Sequence, residues 1–401
     1  MAETSTTTTG TTTTGKRRWP RAVARELLLL ARNPLYWFCI VVAPLICVVF
    51  FTTILDSGMP TDMPIGMVDM DNTSTSRSLT RNLDAFQHAH ITAHYANVTD
   101  ARRALQRGDI YGFFYVPEGF TREANAYRMP TLSFYTNNSY YLPGSLLSTS
   151  MRTMSELASG SATQKTLLAK GATTAQAMAF IQPIVTDTHP TNNPWLNYNI
   201  YLSNIIVPGI LGIFLLMVTV YGIGSEIKEG TAHDWIVING GNIYRALLTK
   251  LLPQTFFFML TGVAIDLWLY GYMAFPANSG IGDAILLMFL FIIASQGLGV
   301  FMITLMPTLR MALSSASLWG VVSFSISGMT YPVMAMDWPL QSLAALFPLR
   351  HYFLIYVNSM LDGYELSNAM PYVAALLGFA VIPLFVAPWL KKELMTVKYV
   401  P

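Results

Sequence analysis

The sequence is short of charge. Asp, Glu, Lys and Arg together make up 11% of its 401 residues, against about 25% in an ordinary soluble domain. That shortage excludes a fully soluble chain. Cysteine is almost absent. Cys39 and Cys47 share one apolar run, where the helical rise between them, about 12 Å, is too long for a mutual disulfide. A net charge of +2 provides no electrostatic case for a nucleic-acid partner. The sequence also lacks G-x-S-x-G, H-E-x-x-H and C-x-x-C, so no catalytic residue and no metal site is assigned. One near miss is Gly10-Thr-Thr-Thr-Thr-Gly15-Lys16-Arg17. No strand precedes it, and Arg17 stands where a phosphate loop needs Ser or Thr for magnesium. Residues 1–17 read instead as a disordered Thr-rich tail.

What the sequence has is long apolar runs. Six are long enough to cross a hydrocarbon core of about 30 Å: residues 35–55, 201–224, 251–274, 283–306, 311–330 and 371–390. Only the third contains an acid in its interior, Asp266, and its Leu, Ile, Phe and Val residues outweigh the insertion cost of about 3 kcal/mol. Lys and Arg cluster before the first run, between runs two and three, between four and five, and in the tail 391–401. The positive-inside rule therefore places both termini in the cytoplasm. The predicted fold is an α-helical polytopic membrane protein of six transmembrane helices. An extracytoplasmic α/β domain, residues 56–200, is inserted between helices one and two.

Within that insert, strands are predicted at Pro64–Asp69, Ala89–Tyr95, Ile110–Val116 and Thr131–Thr136. Helices are predicted at Ser74–Phe86 and Asp100–Arg107, with a long one from Pro143 to about Ala179. His88, His90 and His94 would share one strand face. That spacing admits a metal, but no carboxylate or thiolate completes the set, and a solvated strand face is the simpler reading.

Three other segments draw attention. Residues 18–34 form an amphipathic interface helix. Trp19, Val23, Leu27 and Leu30 make a stripe predicted to face lipid, with Arg21, Arg25 and Arg32 off it and Glu26 beside them. Residues 225–250 form a cytoplasmic segment carrying Glu226, Lys228, Glu229, Gly230, Thr231, Asp234 and Trp235. Its charges suit a soluble partner, while Trp235 and Ile236 would anchor it at the membrane interface; a solvated turn is the competing reading. Residues 331–370 are apolar and broken by Pro332, Pro339 and Pro348, as in a segment that dips into the outer leaflet under cover of protein. Asp266, as an intramembrane acid, is a candidate for a pore or a proton relay.

The order of these features resembles the permease subunits of type-2 ABC exporters, in the subgroup with a large external domain between the first two spans. The resemblance rests on the amphipathic helix before span one, and on Glu226 with Gly230-Thr231 after span two, where Lys250 opens span three. It rests also on Ser327-Gly328 followed by Pro332, Pro339, Gln341, Pro348 and Tyr352, and on Asp71-Asn72, Ser76-Arg77-Ser78-Leu79 and Pro117–Phe120 in the external domain. It covers nearly the whole chain from Arg18 onward. It implies an inner-membrane permease with no cofactor of its own, ATP and magnesium being held by a cytoplasmic ABC ATPase dimer. Glu226–Trp235 and the amphipathic helix (Trp19, Arg21, Arg25, Glu26) would dock that ATPase. A second permease, a copy or a paralogue, would pair through spans two and five, where Ser323 and Ser327 provide a small-residue face; substrate would move outward through that interface, with Ser323, Ser327 and Asp266 as the candidate pore residues. Pro332, Pro339, Gln341, Pro348 and Tyr352 would form an outer gate. A periplasmic membrane-fusion protein could meet the external domain. Two other classes stay open at this point: a secondary transporter using Asp266, and a membrane receptor or scaffold that moves nothing.

Overall fold

The computed structural model describes residues 18–126, 128–185, 187–189, 193–194 and 196–397. The Thr-rich tail, Pro190 and Lys398 lie outside the described residues. The chain divides into two units, Met1–Asp56 with Pro190–Pro401, and Ser57–His189.

Helix α1 (Arg18–Arg32) leads into α2 (Pro34–Ile54). The break between them has a local cause. Pro34 cannot continue α1, and the Asn33 side chain accepts the Leu35 amide at 3.0 Å to start α2. Residues Phe38–Val42 of α2 are π-helical.

The inserted unit runs β1 (Met63–Asp69), α3 (Ser74–Asp84), β2 (Ala89–His94), α4 (Val98–Arg107), β3 (Gly112–Val116), α5 (Phe120–Asn125), β4 (Ser133–Thr136), α6 (Tyr141–Ala169) and α7 (Thr174–Ile181). The sheet order is β2-β1-β3-β4. The first three strands are parallel and β4 is antiparallel to β3. One face packs Met63, Ile65, Met67 and Phe114 against Leu83 of α3 and Leu147, Met151 and Met154 of α6. The other packs Val68 and Phe113 against Ala101 and Ala104 of α4. The long helix predicted to reach Ala179 is instead two helices. Gly171 sits at φ +89°, and Thr173 opens α7 with a capping box to Gln176, so the chain turns there.

The first unit resumes with α8 (Tyr198–Lys228), α9 (Ala232–Ile238), α10 (Ile243–Tyr272), α11 (Ile281–Leu305), α12 (Leu309–Ile326), α13 (Trp338–Ala344), α14 (Pro348–Ile355) and α15 (Met370–Thr396). Among the described residues six helices are long and apolar enough to cross a membrane: α2, α8, α10, α11, α12 and α15. Three run further than their apolar stretch suggests, α15 continuing past 390 to Thr396 and taking in part of the predicted tail. Helix α8 continues past 224 to Lys228, taking Glu226 into its last turn. Helix α10 begins at Ile243 rather than 251, because Asn242 caps it by accepting the Tyr244 and Arg245 amides.

Helices α8 and α11 form the centre of the bundle, and α2, α12 and α15 turn most of their surface outward. Close helix contact is made by glycine. A Cβ on Gly297 of α11 would lie 2.0 Å from the Phe379 carbonyl of α15, and one on Gly209 of α8 would lie 2.3 Å from the Phe324 ring of α12. In a bilayer, where lipid is as apolar as leucine, such close approach is a main source of helix association.

Candidate functional site: a buried charge cluster and a lone buried acid

Four charged side chains meet where α1, α8 and α10 converge. The Arg25 guanidinium forks onto Glu226, Nη1 to Oε1 and Nη2 to Oε2, each at 2.9 Å. Arg25 also donates to Glu26 at 2.7 Å. Lys250 Nζ donates to Glu26 at 2.9 Å and to Glu226 at 2.8 Å, and lies 4.8 Å from the centre of the Trp235 ring. Thr231 Oγ1 donates to Glu226 Oε2 at 2.5 Å. Glu26, Glu226 and Lys250 are only 2–4% exposed. The cluster is neutral, two cations facing two carboxylates. Buried charges persist when paired and fully hydrogen-bonded in this way. Partial burial disfavours the Arg25 charge, but Glu226 and Glu26 outweigh it and raise its pKa above the usual value.

The local sequence explains the convergence. Ala22, Glu26 and Leu30 recur at four-residue spacing and are the buried face of α1, so Glu26 is carried inward with its apolar neighbours. The lipid-facing stripe read from the sequence is therefore only partly realised. Leu30 is buried, whereas Trp19, Leu27, Leu28 and Leu29 are exposed. The turn after α8 uses Gly230 at φ +71°, a left-handed conformation that glycine adopts freely. It folds α9 back so that Thr231 reaches Glu226.

The structure thus separates the residues of segment 225–250. Glu226 and Trp235 lie inside the protein, and Thr231 is half-buried. Trp235 and Ile236 are 1% and 3% exposed, packed in the core instead of anchored at a lipid–water boundary, because α9 folds against the bundle. Lys228, Glu229, Gly230 and Asp234 are exposed, as is Arg21 on α1. Lys250, read from the sequence only as the opening of a span, is a full member of the cluster. Its spacing from any acid in sequence gave no signal, since its partners lie 24 and 224 residues away.

Toward the other end of α10, Asp266 is 2% exposed. Its Oδ2 is buried without a hydrogen-bond partner, and no ion pair reaches it among the described residues. Tyr270, one turn further along α10, and Tyr352 belong to the same buried core as its neighbours Ile265 and Leu269. A polar ladder runs beside it. Tyr270 donates to Asn204 at 3.1 Å, Trp268 to the Thr52 hydroxyl at 3.1 Å, and Asn199 to the Thr52 carbonyl at 3.1 Å. Composition did not reveal this ladder, whose members are single polar residues in apolar runs.

The three prolines of 331–370 begin helical pieces. Pro332 precedes the 3-10 turn Val333–Ala335, Pro339 lies in the first turn of α13, and Pro348 opens α14. Gln341 is exposed and donates to the Met336 carbonyl at 2.8 Å, while Tyr352 is buried against Phe291. Ser323 and Ser327 are buried within the chain itself, 7% and 0% exposed. The small-residue face of α12 therefore packs on α8 of the same bundle, where Gly320 meets Ile213, and is not a free surface for a second permease. In the inserted unit, His88 Nδ1 lies 3.2 Å from the Pro60 carbonyl, and His90 Nδ1 lies 3.1 Å from Asp84. Among the described residues no three His, Cys, Asp or Glu side chains gather as a metal site.

Residues 34–389 match the family model of the ABC-2 family transporter protein, and the chain belongs to that family. It is accordingly a multi-pass membrane protein, the permease component of an ABC transporter. No curated protein matches it significantly.

Proposed function

We propose that the chain is the membrane subunit of an ATP-driven exporter, powered by a separate cytoplasmic ABC ATPase. The observation that carries this reading is the cluster of Arg25, Glu26, Glu226 and Lys250. It ties the helix before the first span to the ends of two spans and to the short helix between them. A push on the exposed turn at Lys228, Glu229, Gly230, His233 and Asp234 would move α1, α8 and α10 together. That is what a subunit needs if it converts closure of an ATPase dimer into rocking of its spans. Glu226 and Trp235 then transmit force from inside, and the exposed residues touch the ATPase.

The cluster end is the cytoplasmic end in this reading, as the Lys and Arg distribution requires. The inserted residues 56–200 are the extracytoplasmic domain in this reading, because the short Lys- and Arg-rich segments all lie on the opposite side. There they would receive substrate or a membrane-fusion protein. With Ser323 and Ser327 used internally, the second permease would meet the exposed side of α12, which carries Met311, Leu318 and Val321.

The test is reconstitution of the chain in proteoliposomes with the ATPase that co-purifies with it. Lys228→Glu and Asp234→Lys, at exposed positions, should leave folding intact and uncouple ATP hydrolysis from transport. Full coupling in both variants refutes the docking surface. Transport that needs no ATPase and collapses with an ionophore refutes the exporter in favour of a secondary carrier.

A further inference from the structure

Asp266 is used by no step of the coupling scheme, and its setting is unlike that of any other acid in the bundle. Glu26 and Glu226 each contact two cations, whereas Asp266 contacts none among the described residues. The ionic cluster does not reach it, because Lys250 lies about 24 Å away along the same helix. The titratable groups whose field reaches it are the phenols of Tyr270 on α10 and Tyr352 on α14, buried in one core with Tyr356. From the other packed helices come Asn204 of α8 and Thr52 of α2, neither titratable. His351 of α14 points elsewhere, its Nε2 at the Ala345 carbonyl and its ring beside Tyr372 and Phe379. Asp283 is half-exposed at the head of α11.

A second observation points to the same place. Tyr356 is 2% exposed, and its buried hydroxyl has no hydrogen-bond partner. Both backbones here leave α-geometry. Residues Leu267–Tyr272, directly after Asp266, are π-helical, and so are Tyr356–Leu361. Such stretches cost stability and recur at functional sites.

An unpaired carboxylate this deeply buried would carry a desolvation cost of several kcal/mol or more. Two ligands relieve it, a bound cation or a proton. We infer that Asp266, in a core that also buries the phenols of Tyr270 and Tyr352, is a proton-binding site. In this packing Asp266 is the neutral acid, and it releases its proton only when this end of the bundle opens to water. A conformational cycle that opens it would bind and release one proton per turn. The inference stands on burial and partners and does not depend on the exporter reading.

The test uses the purified full chain in lipid nanodiscs, without any ATPase. Near pH 6 exposed carboxyls are ionised, and Glu26 and Glu226 are ion-paired. The infrared spectrum should nevertheless show a protonated-carboxyl band that resists exchange in heavy water. That band should be absent from Asp266→Asn. The thermal midpoint of the wild type should fall by about 3 °C or more as the bundle is titrated from about pH 6 to 9, and the midpoint of Asp266→Asn should not. Sodium or potassium chloride should move neither midpoint more than the other. Absence of the band from the wild type overturns the proposal even if the variant does not fold. Selective stabilisation of the wild type by either cation replaces the proton with a metal-ion site and overturns it too.

Discussion

The two ends of α10 handle buried charge in opposite ways. At Lys250 the helix takes part in a neutral set of four, in which every carboxylate oxygen that matters has an N–H donor at 2.7–2.9 Å. At Asp266 it buries one acid with no counter-charge among the described residues. The first arrangement joins elements distant in sequence and resists being pulled apart, since removing one partner leaves an uncompensated charge. The second joins nothing by charge and can change state with a single proton. A mechanical link calls for the first arrangement and a switchable site for the second.

The largest effect should come from breaking the neutrality of the cluster. Lys250→Met leaves two buried carboxylates with one guanidinium and should cost about 3–5 kcal/mol, the range for orphaned buried charges. Adding Glu226→Gln restores neutrality and should recover most of the loss. Thermal unfolding in detergent and the yield of folded protein measure both. If the single and double variants are equally damaged, charge balance is not what holds α1 to the bundle. Asp266→Asn, in contrast, should cost little or nothing, because amide and neutral acid are close in shape.

A smaller loss should follow from separating two helices without touching charge. In Gly297→Ala the new methyl falls on the Phe379 carbonyl, 2.0 Å from where its Cβ would sit. Backbone cannot yield as a flexible side chain does, so α11 and α15 must part, at about 1–3 kcal/mol. Unchanged stability would mean that the two helices slide easily. The variant should leave the Lys250 cluster intact, and stabilities of Gly297→Ala and Lys250→Met should therefore add.

The spans, the inserted α/β unit and the charge-rich turn after α8 could all be read along the chain. Each is announced by local pattern: apolar runs of fixed length, alternating strands, and Gly230 beside Glu226. The site was legible in part. Arg25, Glu26 and Glu226 were singled out, but as surface residues awaiting a partner. The pairing of the first two with Glu226 was hidden because it is made across a long stretch of chain, Arg25 and Glu226 standing 201 positions apart. Trp235 misled for a related reason. An aromatic residue beside charges reads as an interface anchor, and only the fold-back at Gly230 puts it under Lys250. Ser323 and Ser327 signalled close helix packing, but a small-residue face does not say which helix fills it.

The inserted unit sharpens the comparison, because it manages an acid in water. Asp71 lies between two loops, accepting from Thr73 Oγ1 at 2.9 Å and from Thr121 N and Oγ1 at 3.2 and 2.5 Å. The slight desolvation it suffers is outweighed by these hydrogen bonds from Thr121 and Thr73, which hold its pKa below the ordinary Asp value. The unfolded chain then binds the proton more readily than the folded one, so stability falls as pH falls. The contribution should be complete above about pH 5 and fade below about pH 4. This slope is opposite in sign to the one expected for Asp266 and far smaller, since the group is solvated. Asp71→Asn should flatten the acid limb for the inserted unit, followed by near-ultraviolet dichroism or hydrogen exchange at residues 117–121. It should leave the alkaline limb assigned to Asp266 untouched. If Asp71→Asn removes that alkaline limb as well, the pH dependence belongs to the inserted unit and the two acids are not independent.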